Sequence, residues 1–148
     1  MKIEFTLANC FWLIVPLLVW NIVFGSKITQ EAITSDSHSP AWLLGAENLF
    51  RIITFVLPLL LRMRFDDNLG KIGLAVYIIG TLIYFASWIP LMASPQSAWS
   101  QSNIGLFAPR ITPWIALLGI ALVAHSWTYG VLATLFIFFH TWHGIQNL

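Results

Sequence analysis

Glu47, Asn48 and Arg51 stand inside an otherwise apolar stretch, Pro40 to Arg64 (PAWLLGAENLFRIITFVLPLLLRMR), and are the residues of this chain best placed to do chemistry. A carboxylate and a guanidinium at i, i+4 share one face of a helix and can pair there. The guanidinium can also hold a polar or anionic headgroup in a fixed fork of donors. A second group lies further along, where His140 and His143 in FHTWHGIQNL fall one helical turn apart. An imidazole changes charge near neutral pH, so either histidine could exchange a proton with Glu47 if the fold brought them together.

One carboxylate and two histidines make only a partial metal-ligand set, and their spacing matches no metal signature, so no metal is expected. Two histidines on one helix cannot be trans ligands to one haem iron. The chain has no serine-nucleophile motif, no phosphate-binding glycine loop and no cysteine pair, since Cys10 is its single cysteine. No cofactor is identified. The plainer alternatives are a buried ion pair that fixes helix register and a histidine pair at a wet helix end.

The elements that position these residues must be membrane helices. From Ile52 to Leu61 the purely apolar run covers about half of a ~30 Å hydrocarbon core at ~1.5 Å per residue, so a span has to include Glu47 and Arg51. Glu47, Arg51, Thr54 and Pro58 recur at intervals of four, three and four residues. They share a stripe that lipid would not tolerate, and it should face the inside of a bundle. Across 148 residues, 58% are hydrophobic and 9% charged, far fewer charges than the usual quarter of a soluble domain. A net charge of +1 supplies no basic patch for nucleic acid. The lipid bilayer is the expected partner, with another membrane protein or a second copy of the chain as further candidates.

Met1 to Phe24 reads as an uncleaved first helix kinked at Pro16, and Gly25 to Ser39 as a polar loop. Ser39 and Pro40 read as the N-cap and first position of the second helix. Arg62, Arg64, Asp66, Asp67 and Lys71 form the densest charge cluster, in a turn ending at Asn68-Leu69-Gly70. Their basic members place that loop, and with it the N-terminus, on the cytoplasmic side of a plasma (inner) membrane. The third helix, Lys71 to Met92, carries Gly73, Gly80 and Ser87 seven residues apart, a small-residue seam along which helices can approach closely. That seam could dock another membrane protein or a second copy. Ala93 to Arg110 reads as a loop or short interfacial segment.

Ile111 to Phe139 is almost continuously apolar and, as one helix, exceeds a ~30 Å core by roughly ten residues. The interruption His125-Ser126-Trp127-Thr128-Tyr129-Gly130 favours two helices, about Pro109 to Ala124 and Trp127 onward, over a single long one. The expectation is therefore an all-α polytopic transmembrane helical bundle over residues 1–148, with five spans, or four if the last helix is continuous. In the five-span form His140 and His143 return to the level of Glu47, and the site could bind a lipid headgroup or a small polar or anionic ligand. A membrane enzyme acting on lipid or quinone would need the same contact.

Overall fold

The computed structural model describes residues 8–32 and 39–146. Its helices are α1 (Phe11–Ala32), α2 (Ala41–Val56, prolonged by a 3-10 turn at Leu57–Leu59), α3 (Asn68–Ala93), α4 (Asn103–Ile111), α5 (Pro113–Val123) and α6 (Trp127–Gln146). Among the described residues three segments, Ala41–Leu59, Asn68–Ala93 and Asn103–Val123, are long and apolar enough to cross a membrane, and Phe11–Phe24 is a shorter apolar helix. The outer surface agrees with that reading. Ile22 is 77% exposed, Leu82 62% and Trp127 85%, an apolar exterior that suits lipid and that water would penalise.

The helical rods meet at one end of the bundle. Beyond the 3-10 turn the chain runs extended, and Arg62 forms an antiparallel bridge with Asn9 at the foot of α1. The Cys10 amide donates to Leu61 O at 2.9 Å, the Met63 amide to Ala8 O at 2.7 Å and the Arg64 amide to Val123 O at 3.0 Å. Asn9 Nδ2 adds a bond of 2.7 Å to Leu59 O. The starts of α1 and α3 and the end of α5 are thus tied to one short segment, and the rods alternate in direction along the chain.

Asp67 completes that end. Its Oδ1 accepts from the Gly70 amide at 2.9 Å, capping α3, and lies 3.1 Å from His125 Nε2. The amide bond, with the imidazole second, holds the Asp67 carboxyl below its ordinary range. Folding therefore favours the carboxylate. That contribution is present above the ordinary aspartate pKa and is lost as pH falls through the lowered value.

His125 makes the reversal between α5 and α6. Its φ of 52° lies in the left-handed region that side chains disfavour. Its amide donates to Leu122 O at 3.1 Å and the Ser126 amide to Ala121 O at 2.9 Å, the paired bonds of a Schellman helix end. Ser126 Oγ then accepts from the Tyr129 amide at 3.2 Å and opens α6. The apolar stretch is therefore two helices, divided where its polar interruption begins.

The α3 seam closes on α5 of the same chain. A Cβ on Gly73 would lie 2.6 Å from Val123 N, one on Gly80 2.8 Å from Ile115 C, and one on Gly119 2.6 Å from Tyr77 Cα. Small residues from both helices allow backbone contact, and Tyr77 and Tyr84 fill the intervals between Gly73, Gly80 and Ser87. Ser87 Oγ donates to Tyr84 O at 2.6 Å and lies 3.3 Å from Thr112 Oγ1. This face, the alternative docking surface, is occupied by α5.

Several boundaries differ from expectation. The first helix runs through Gly25 to Ala32, well into the stretch read as a loop. Residues 33–38, the rest of that loop, lie outside the described residues. The second helix begins at Ala41 with Pro40 in the cap position, and Ser39 does not cap it. Asn68 to Gly70 belong to α3 because Asp67 caps it one turn earlier than the expected start. Within Ala93 to Arg110, residues from Asn103 onward are helical, begun by Ser102 Oγ accepting from the Gly105 amide at 3.1 Å.

Candidate functional site

The polar stripe of α2 turns inward and meets α6. Leu43, Glu47, Thr54 and Pro58 are buried, and Glu47 is 1% exposed. Because α2 and α6 run antiparallel, aromatic pairs bracket Glu47. Trp42 meets Trp142 edge-on at 5.5 Å, Phe50 stacks on Phe139 at 5.4 Å and Phe55 meets Phe136 at 5.7 Å. Each such pair adds about 0.5–1.5 kcal/mol beyond its buried area. They fix the register that sets α6 histidines opposite the α2 carboxylate.

Glu47 is the hub of that register. Arg51, one turn on, donates through Nη2 to Glu47 Oε1. His140 Nδ1 lies 2.9 Å from the same oxygen, and His143 Nδ1 lies 2.5 Å from Oε2. An ionised carboxylate can only accept, so each imidazole meets it as a donor when its Nδ1 carries the proton. Asn48 Oδ1 accepts from Arg51 Nη1 at 3.3 Å and steadies the guanidinium. All five residues singled out in the sequence, Glu47, Asn48, Arg51, His140 and His143, are brought together.

Beside this cluster opens a chamber of about 840 Å³, within the range of small-molecule sites. Arg51 and His140 are among its polar lining residues, while Leu17, Phe55, Trp88 and Phe136 are among its apolar ones. The turn between α3 and α4 bounds it on the side away from the Asn9–Arg62 bridge. There the buried Ser100 Oγ donates to Ser94 O at 2.8 Å, and Gln101 Nε2 to Pro95 O at 2.9 Å. Tyr84, also in the wall, donates to Asn21 Oδ1 at 2.8 Å and ties α3 to α1.

Sequence reasoning missed Arg110. It lies in the last turn of α4 and lines the same chamber. Its guanidinium sits over the Phe107 ring at 5.7 Å and in a notch left by Gly144 of α6, where a Cβ would come within 2.8 Å of Arg110 Cζ. Arg110 feels the charge of Glu47, but its Nη1 is buried with no hydrogen-bond partner among the described residues. The usable signal was Ser102, an N-cap residue just ahead of apolar Ile104, Leu106 and Phe107. Pro109 obscured it by resembling a helix breaker.

Among the described residues no group of three or more His, Cys, Asp or Glu side chains is disposed to hold a metal ion. No family model, curated protein or solved structure matches the chain, so its chemistry is read from this geometry alone.

Proposed function

We propose that this chain is a five-pass membrane protein that binds an amphiphile with a polar headgroup in the chamber between α1, α2, α3, α4, α5 and α6. The observation that carries the reading is a chamber lined by two guanidiniums and one imidazole together with apolar side chains, since intramembrane charge is retained mainly where it has a function. The headgroup meets Arg51 and His140, and the tail follows Leu17, Phe55 and Phe136. Glu47 orients the head, holding Arg51 and His140 through one oxygen and His143 through the other. With the basic cluster at Arg62, Arg64 and Lys71 on the cytoplasmic side of a plasma (inner) membrane, the chamber opens near the opposite leaflet.

Two other readings fare less well. A membrane enzyme working through Glu47 and His140 or His143 has the contact it requires, but both carboxylate oxygens are already engaged by donors, which suits an anchor better than a general base. A packing subunit using Gly73, Gly80 and Ser87 would need a face that α5 already covers.

Arg51→Leu tests the ligand site. Its side chain is 41% exposed and its removal leaves Glu47 with two imidazole donors, so the protein is expected to stay folded. Retention of dodecyl amphiphiles in nanodiscs, counted by native mass spectrometry, is expected to fall about tenfold, as for loss of a charged hydrogen bond. Unchanged retention in the folded variant would sink the reading.

A further inference from the structure

The geometry points to an anionic amphiphile as the ligand, with Arg110 as the binding residue that selects its charge. This rests on the chamber being a ligand site and adds the chemical class of the head. Three observations support it.

The chamber carries excess positive charge. Arg51 and Arg110 are the charged residues that line it, and Glu47 behind them is one carboxylate facing two guanidiniums. Glu47 is committed to Arg51, His140 and His143, and gives Arg110 no hydrogen bond.

Arg110 is also held in place without being satisfied. Phe107 beneath it and the Gly144 notch beside it fix the guanidinium, while Nη1, buried against that notch, has no hydrogen-bond partner among the described residues. A desolvated cation is costly, and an anionic oxygen arriving in the chamber would answer its charge. Carboxylate and phosphate heads share this chemistry, and either can accept from a guanidinium fork.

Finally, apolar wall residues continue along the helices from the charged ones. Along α6, His140 is followed one turn earlier by Phe136, which stacks against its ring at 5.5 Å. Along the α4–α5 rod, Arg110 is followed by Leu117, also in the wall. A molecule with a charged head and a hydrocarbon tail fits that division, and a uniformly polar anion does not.

The test compares dodecanoate, dodecyl phosphate and dodecanol on the full chain in phosphatidylcholine nanodiscs at neutral pH, with bound adducts counted by native mass spectrometry. The wild-type protein is expected to retain at least one of the two anions about tenfold more tightly than dodecanol. Whichever anion is held more tightly identifies the head as carboxylate or phosphate. Arg110→Gln, which keeps donors and bulk but loses charge, is expected to erase the preference, and Arg110→Lys to keep most of it. If dodecanol binds the wild-type protein as tightly as the anions, or if folded Arg110→Gln keeps the preference, the anion inference is overturned and the ligand site stands. If no probe is retained by the wild-type protein, the ligand site falls and the inference with it. Should Arg110→Gln fail to fold, the wild-type comparison and Arg110→Lys still decide.

Discussion

Gly80→Leu is expected to keep this chain from folding, with little monodisperse protein recovered after detergent extraction. The new Cβ would lie 2.8 Å from Ile115 C and 2.9 Å from Ala116 Cα, both backbone atoms that no rotamer change can move. The helices would have to separate, and Gly73 and Gly119 make the same close approach elsewhere along the crossing. Overpacking a core costs about 1–3 kcal/mol where side chains can yield. Here the backbone must yield, so the cost exceeds ~3 kcal/mol. Gly45→Leu is the control: a Cβ at Gly45 meets nothing within 4 Å, and that variant should extract like the wild type. Equal recovery of Gly80→Leu would mean that α3 and α5 do not cross at these glycines.

Glu47→Leu is expected to have the second largest effect. It removes the acceptor shared by Arg51, His140 and His143 and leaves three donors facing a hydrocarbon side chain. Breaking a buried ion pair from one side typically costs about 3–5 kcal/mol. These partners are partly exposed, between 25% and 41%, so water screens some of that loss and about 2–3 kcal/mol is expected. Thermal unfolding in detergent should show it as a clear drop in Tm. Glu47→Gln keeps the shape and one acceptor and should fall between the two. A double-mutant cycle of Glu47→Leu with His143→Leu should show coupling, because the second change removes a donor that the first has stranded. Strict additivity would mean that α2 and α6 are not joined through this carboxylate.

How far the sequence could be read depended on whether a signal sat within one element or between two. The inward stripe of α2 was legible because Glu47, Arg51, Thr54 and Pro58 stand out against an apolar background with helical spacing. The division at His125 was legible for the same reason, as a polar interruption in a run too long for one helix. The partner of the α3 seam was not. Gly73 and Gly80 announce a close approach, but Ala116 and Gly119, which receive it, lie in a run so uniformly apolar that no residue marks a face.

Arg110 was hidden differently. Its segment carries Asn103, Gly105 and Pro109, each of which usually argues against a helix, yet Ser102 starts one there. Its depth depends on the Gly144 notch, a feature of the distant α6. The extension of α1 through Ala32 has no counterpart in local propensity, since Gly25 and Ser26 would ordinarily favour an end. The joining of His140 and His143 to Glu47 was conditional on α6 returning toward α2, and the Schellman end at His125 supplies that return.

The most direct test asks on which sides of the membrane Asp66 and Gln146 lie. Both are exposed, one in the bend just before α3 and the other at the far end of α6. Asp66→Cys and Gln146→Cys, each in a Cys10→Ser background, would be treated with an impermeant maleimide in sealed right-side-out vesicles, before and after lysis. A five-pass bundle with Glu47 clasped by α6 predicts opposite sides: Gln146→Cys labels in intact vesicles and Asp66→Cys only after lysis. Labelling of both from the same side would contradict it, because α6 would then not cross from the His125 reversal to the level of Glu47.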